Sequence, residues 1–470
     1  NAAGVVDGNS DGGNGCELGA LARFFCPVGS LGIIGLDQQR DNLRGLVDGG
    51  DLVLKDGRRA VEPVGVVVVV LDEGLTHAHV DHIAMLPVLF RYGYRGPVYC
   101  TPPTRDLMTL LQIDYIKVAQ AEGTDPPYSK ADIQECIKHV VDIGHGEKTD
   151  IAPDIKISME NAGHILGSSS VYMHIGEGSH EHRLLFSGDI KYEKSWLFDA
   201  ATVRFPKADT LVIESTYGGP QDFQPNRVDA THEIQDLVRL AVSRSGKIFC
   251  PVFAVGRSQE VMLAIDQLFK SGDVTPITVW LDGMISEATA IHASHPDYLN
   301  RDLRKQVLRG GEENPFNSPW FKQVDSREQR ESILNDPSPC IVLATSGMMT
   351  GGPIMEYFKN WAPELNNTLC FVGYQASGTM GRRLQSGHPE VPMVDRGQTH
   401  MIPVSCNVVT IDGFSGHSDR KQLMDYVRAL NPTPRRIICH HGDPQTCNAF
   451  RQGLRDTFRV QTHAPANLET

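Results

Sequence analysis

Short apolar runs rich in valine, isoleucine and leucine recur along the chain, each closing on polar or small residues. Val66 to Leu71, Leu211 to Glu214, Lys247 to Phe253, Cys340 to Thr345, Thr368 to Gly373 and Ile437 to Cys439 have the length and make-up of buried strands. Between them apolar residues return at helical intervals, as from Gln259 to Phe269, and Ile83 to Phe90 opens another helical stretch. Strands alternating with helices predict an α/β protein, and 470 residues can hold two sizeable cores. Asn1 to Gly19 is Gly- and Asn-rich without periodicity and is expected to be disordered.

The stretch Thr76 to His82 reads Thr-His-Ala-His-Val-Asp-His, so His77, His79, Asp81 and His82 fall within six residues. It lies between a strand pattern and a helical pattern, on a loop where side chains can converge on an ion. His77 and His79 alternate and can reach one metal, while Asp81 and His82 turn toward a neighbouring one. Downstream, Asn161 to Ser168 supplies His164, and Phe186-Ser187-Gly188-Asp189 supplies Asp189 after an apolar strand. Later segments add Glu214 after the Leu211 strand, His417 within Asp412 to Asp419, and His440 and His441 before Gly442-Asp443.

In this order the motifs resemble those of the metallo-β-lactamase superfamily. With Glu214, His417 and His441 they resemble its β-CASP branch of nucleic-acid-processing nucleases, in particular the archaeal cleavage and polyadenylation specificity factor-like ribonucleases. Pro251 to Glu260, Ala344 to Met349, Phe371 to Ala376 and the closing Ala464 to Thr470 extend the likeness, which runs from about Thr76 to the C-terminus. The resemblance implies a metallo-β-lactamase αββα sandwich with an inserted β-CASP α/β domain. The first part of the hydrolase domain is expected over residues 1–205 (1–75 matching poorly), the β-CASP domain over 206–395, and the second hydrolase part over 396–470. The family usually places a buttressing Asp before the metal loop, and Asp37, Asp41, Asp51 and Asp72 do not fit that position. Archaeal members often also carry N-terminal KH-type RNA-binding domains; no matching Gly-x-x-Gly loop occurs here, as a shortened chain would explain.

By similarity His77, His79 and His164 hold one Zn2+, Asp81 and His82 hold a second, and Asp189 bridges them. His441 completes the second site, with His440 beside it as a competitor. The same donor set also accommodates Mn2+. The catalytic set implied is His417 as general acid, Glu214 as its orienting carboxylate, and Asp81, which doubles as a ligand. RNA-cleaving members carry His at the last motif where DNA-repair members carry Val, so His441 implies single-stranded RNA as substrate. The activity implied is phosphodiester hydrolysis, mainly endonucleolytic, in transcript 3′-end processing, termination or turnover. A 5′-to-3′ exonuclease activity, as in the related RNase J group, is a variant of that reading. A homodimer and transcription or RNA-processing partners are likewise implied only by resemblance. Two alternatives stay open: an inactive scaffold subunit of a processing complex, and a small-molecule hydrolase of the lactamase or glyoxalase kind.

RNA grip is expected from the intervening block. Gly256-Arg257 precedes a helix N-terminus, where free N–H groups and a guanidinium can meet a phosphate. Ser377, Gly378, Thr379, Arg382 and Arg383 form a second candidate loop, and Arg435-Arg436 a further basic pair. The net charge of −13 excludes a uniformly basic coat but not a local basic groove. No Gly-x-x-x-x-Gly-Lys-Ser/Thr loop is present, which argues against a P-loop nucleotidase. Ten cysteines without Cys-x-x-Cys spacing predict reduced, buried thiols, and no apolar run is long enough for a membrane span. With no signal peptide at the start of the sequence, the cytoplasm is the expected compartment.

Overall fold

The computed structural model describes residues 75–121, 123–178, 181–376, 378–395 and 398–466. The expected disordered start, the Val66–Leu71 strand and the four aspartates before the metal loop lie outside them. The strands, in chain order, begin with β1 (Val98–Cys100), β2 (Val140–Asp142), β3 (Lys148–Ala152), β4 (Ile155–Asn161), β5 (Ser169–Ile175), β6 (His182–Phe186) and β7 (Thr210–Glu214). Then come β8 (Ile248–Pro251), β9 (Val279–Asp282), β10 (Phe321–Gln323), β11 (Ile341–Ala344) and β12 (Thr368–Phe371). The series closes with β13 (Glu390–Asp395), β14 (Gln398–Pro403), β15 (Asn407–Thr410), β16 (Arg436–His440) and β17 (Gln461–His463).

Two sheets dominate. The first has the order β17-β16-β7-β6-β5-β4-β3, parallel from β17 to β6 and antiparallel from β6 to β3. The second, β10-β9-β11-β8-β12-β15, is parallel throughout. Its inner strands β8, β11 and β12 are buried on both faces, as a parallel sheet covered on two sides requires. Ile341 and Leu343 of β11 enter one core while Val342 and Ala344 enter the other, and β8 divides in the same way between Ile248/Cys250 and Phe249. Each such side chain contributes roughly 1.5–3 kcal/mol when fully buried. The amphipathic pattern after Gly256 forms the helix Arg257–Ser271, as its spacing predicts.

Sheet membership shows where the chain passes between the two sheets. β7 belongs to the seven-stranded sheet although it lies after residue 205, and β15 belongs to the six-stranded sheet although it lies after residue 395. The chain therefore leaves the first sheet after Glu214 and returns after Thr410. β15 is a four-residue edge strand, mostly exposed, so no apolar run announces it. Both crossings matter, because β7 ends in Glu214 and the segment after β15 carries His417.

One core is continuous across the junction. Ile165 and Leu166, next to His164, share a buried cluster with Val252, Val255 and Phe414. β4, β6, β7 and β16 all point their carboxyl ends to one edge of the first sheet. Phe253, just beyond β8, brings its ring within 6.3 Å of the His79 ring, so the second sheet ends at the same cleft. Loops at the carboxyl ends of strands form the usual ligand crevice of α/β sheets.

Candidate active site

Every sequence-nominated metal ligand arrives at that cleft. His77 and His79 precede the short helix Val80–Ile83, whose first turn presents Asp81 and His82. His164 sits in the β4–β5 loop, Asp189 follows β6, and His441 directly follows β16. Two glycines hold the loops in shape. Gly163 has φ +72°, and a Cβ there would meet the Lys191 carbonyl at 2.8 Å; Gly188 has φ +57° and packs on Thr76. His441 itself takes φ +51°, an unusual conformation for a side-chain-bearing residue that turns the ring off the strand into the cleft.

The donor atoms form two groups. His77 Nε2 and His79 Nδ1 are 3.2 Å apart, and His164 Nε2 lies 3.0 Å from the same Nδ1. Asp189 Oδ2 stands 3.4 Å from His77 Nε2 and 3.6 Å from His164 Nε2. The second group joins His82 Nε2 to Asp189 Oδ2 at 3.5 Å and to Asp81 Oδ2 at 3.6 Å. His441 Nε2 lies 3.4 Å from Asp81 Oδ2, and its Nδ1 lies 3.3 Å from Asp189 Oδ1. Asp189 is thus common to both. Ligands 2.0–2.1 Å from a tetrahedral ion are separated by about 3.4 Å, so the spacing suits two ions sharing one carboxylate.

Second contacts orient these donors. His164 Nδ1 donates to the Gly416 carbonyl at 2.9 Å, which leaves Nε2 as the lone-pair nitrogen facing the cluster. Thr76 Oγ1 engages His77 Nδ1 at 3.1 Å, and Thr216 Oγ1 engages His441 Nδ1 at 3.1 Å. Burial and neighbouring imidazoles hold His77 and His164 well below the usual histidine range, against the pull of Asp189; burial takes His79 down to about 4. Burial also disfavours charge on His82, but Asp81 and Asp189 outweigh it and raise this group to about 9. For Asp189 the surrounding imidazoles overcome burial and keep the carboxyl well below its ordinary value. Neutral imidazoles at His77, His79 and His164 meeting ionised Asp189 in a buried cluster are the donor chemistry of a divalent cation, and a cation there would replace the proton that Asp81 and Asp189 hold on His82. In the protein alone, several lone pairs crowd together without enough protons between them, so the residues fit a metal centre.

His440, the competitor to His441, stays on β16 with its ring 5.1 Å from Phe186. It belongs to none of the converging groups.

His417 and Glu214 meet at the rim. His417 Nδ1 bonds Glu214 Oε2 at 2.9 Å, and Glu214 Oε1 accepts the Ile190 amide at 2.7 Å. Asp189, Glu214, His417 and His441 also fall close enough together to be read as a ligand group. The His417–Glu214 contact has the length of a hydrogen-bonded imidazole–carboxylate pair.

The expected RNA contacts fare differently. Arg257 is buried, with Nη1 bonded to Glu260 and the Phe414 carbonyl and Nη2 to the His164 carbonyl, so both Nη atoms already have partners within the protein. Its position at a helix start suggests an anion cradle, but the side chain folds back along its own helix and across the domain junction. The Thr379 hydroxyl donates to Ala376 O and accepts the Arg382 amide as the cap of the helix Met380–Gln385. Gly378, Arg382 and Arg383 are exposed, whereas Ser377 lies outside the described residues. Arg435 and Arg436 stand at the amino end of β16, the end away from His441.

Other residues of the site carry no sequence signal. Lys191 is buried behind the cluster and donates to Gln224 Oε1 and to the His417 carbonyl, both at 2.9 Å. Tyr217, Phe223 and Tyr374 line a cleft beside His417, together with Gln224 and Asp412. All eight cysteines among the described residues are reduced and buried, and no helix among them is long and apolar enough to cross a membrane.

Family models match three segments. Residues 45–242 match the metallo-beta-lactamase superfamily, 258–384 the Beta-Casp domain, and 401–465 the Zn-dependent metallo-hydrolase RNA specificity domain. A Methanosarcina mazei protein named transcription termination factor FttA is 51% identical over 397 residues, 84% of this chain and 62% of that protein. The Methanocaldococcus jannaschii protein of the same name is 50% identical over 396 residues, with the same coverage. A Lokiarchaeum protein, again so named, is 44% identical over 396 residues. The chain spans about 62% of the length of these curated relatives. The chain belongs to the β-CASP branch of the metallo-β-lactamase superfamily.

Proposed function

We propose that this chain is a two-metal ribonuclease that hydrolyses phosphodiester bonds of single-stranded RNA, chiefly within the strand. The observation that carries this reading is the convergence of seven donors on two overlapping groups, with a His–Glu pair at their rim. Zinc is the proposed metal, held by His77, His79, His164 and Asp189 on one side and by Asp81, His82, His441 and the shared Asp189 on the other. When bound, the metals supply Lewis acidity and an activated water near neutral pH.

The remaining work falls to the chain itself. His417, oriented by Glu214 through Nδ1, presents Nε2 to protonate the leaving ribose oxygen. Phe253 places an apolar ring 6.3 Å from the His79 ring, on one flank of the donor cluster. Tyr217, Phe223 and Tyr374 offer aromatic faces on which bases of a single strand can stack, and exposed Arg382 and Arg383 offer charge for its backbone. The retained ligands and acid pair speak against an inactive scaffold, and a cleft open to aromatic stacking speaks for a polynucleotide over a small lactam or thioester.

The name shared by the relatives supports assigning the cleavage to transcript 3′-end formation and termination, with a homodimer and transcription proteins as proposed partners. The test is the double substitution Asp81→Ala/His82→Ala, assayed on an internally labelled single-stranded RNA. Cleavage should disappear while RNA binding persists. Unchanged cleavage contradicts the two-metal assignment.

A further inference from the structure

Four consecutive backbone carbonyls, of Phe414, Ser415, Gly416 and His417, each accept a hydrogen bond from a different side chain. The donors are Arg257 Nη1, Arg227 Nη2 at 3.4 Å, His164 Nδ1 at 2.9 Å and Lys191 Nζ at 2.9 Å. Loop carbonyls usually bond to water or to neighbouring backbone. Here a loop is pinned at every residue, and it is the loop that ends in His417.

The donors come from both sides of the domain junction. His164 and Lys191 stand on the loops that carry metal-ligand candidates. Arg227 and Arg257 open the helices Arg227–Arg244 and Arg257–Ser271, which belong to the segment between the two crossings. Glu260 accepts from both arginines through the same oxygen, Oε2, and is buried, so the two guanidiniums are tied into one unit. The loop is shaped to receive them. At Gly416 a Cβ would run into the Arg257 guanidinium and the His164 ring.

We propose that Arg257, Arg227 and Lys191 are positioning residues for His417, and that the seating of the inserted domain's helices on this loop decides whether the general acid is in place. The inference rests on the proposed acid role of His417. None of the three reaches the reacting atoms; each acts through the loop backbone. Two would carry the position of the inserted domain to the proton donor through Glu260.

The test compares two RNAs, one ordinary and one with sulfur replacing the leaving ribose oxygen at a single scissile linkage. A thiolate departs without needing a proton, so a misplaced acid matters only for the ordinary linkage. Arg257→Met and Lys191→Met should each lower kcat on ordinary RNA by about 10–100-fold, less than the roughly 10²–10⁴-fold that losing a general acid outright costs. KM should change little, metal content should stay at the wild-type level, and the sulfur linkage should be cut at near wild-type rate. Arg257→Lys, which keeps one donor, should recover part of the loss. Equal losses on both linkages, or loss of metal, would overturn the proposal. If Arg257→Met does not fold, Lys191→Met, which removes a single bond to the loop, carries the same comparison. His417→Ala run alongside separates the two layers. If sulfur fails to rescue it, the acid assignment itself is wrong; if sulfur rescues it but not the clamp variants, only the positioning role falls.

Discussion

Glu214 holds His417 by one carboxylate oxygen, at 2.9 Å, and the Ile190 amide by the other, at 2.7 Å. The carboxylate is fully buried, while the imidazole keeps 17% of its side-chain surface exposed. A buried anion therefore steers a ring whose far nitrogen serves the cleft, and Ile190 ties that anion to the residue after Asp189.

This pairing gives the first prediction. His417→Ala should slow RNA cleavage by about 10²–10⁴-fold, the usual contribution of a general acid. Glu214→Gln keeps the shape but removes the charge, and should cost a smaller factor, on the order of 10–100-fold. Metal content, read by elemental analysis of the purified variants, should match the wild type in both. Loss of one metal from either variant would make that residue a ligand instead.

Asp189 is the one carboxylate shared by both donor groups. Asp189→Asn should therefore lower occupancy at both sites together, whereas Asp81→Asn should affect one. Metal titration followed by calorimetry would resolve the difference. An Asp189 variant that kept one site at full affinity would contradict the bridging geometry.

Gly416 tests the loop from its own side. Because a Cβ there collides with Arg257 and His164, Gly416→Ala should displace the loop, cutting kcat and weakening the metal site that includes His164. Its effect should exceed that of an alanine at Gly378, where a Cβ meets nothing within 4 Å. Gly378 has φ +87° and Gly416 does not, so an alanine at Gly378 carries backbone strain without a collision, and parallel kinetics separate the two effects.

His292 gives a pH-dependent prediction away from the metals. It is fully buried on the helix Ile285–Ser294, bonds Ala288 O through Nδ1 at 2.8 Å, and burial lowers it to about 4. The unfolded chain binds this proton near pH 6.5 and the folded chain does not, so stability is lost as pH falls from about 6.5 toward 4. The full effect is roughly 3 kcal/mol if the shift is realised in full. Denaturant unfolding across that range should be flatter for His292→Phe than for the wild type. Parallel curves would show that the histidine titrates normally.

The candidate metal-ligand cluster was legible because its signal is local. Three imidazoles and an acid within six residues have few other uses, and His164, Asp189 and His441 each follow an apolar strand in order. The charged residues behind them were not legible, because their partners are remote in sequence. Arg257 bonds carbonyls 157 and 93 positions away, so at a helix start it looks like an anion cradle and proves to be a clamp. Lys191 gives no pattern at all, since nothing nearby shows that its ammonium will turn inward to the carbonyl of His417. Where the chain passes between the two sheets was not legible for a related reason: strand membership follows pairing partners, and β15 is too short to declare itself.

The central claim is a two-metal centre that cleaves RNA, and metal stoichiometry paired with cleavage tests it most directly. Purified protein should carry two metal ions per chain, and should cut a 5′-labelled single-stranded RNA into internal fragments that vanish on chelation and return when zinc is restored. One ion or none at full activity, or cleavage that survives complete chelation, would contradict it.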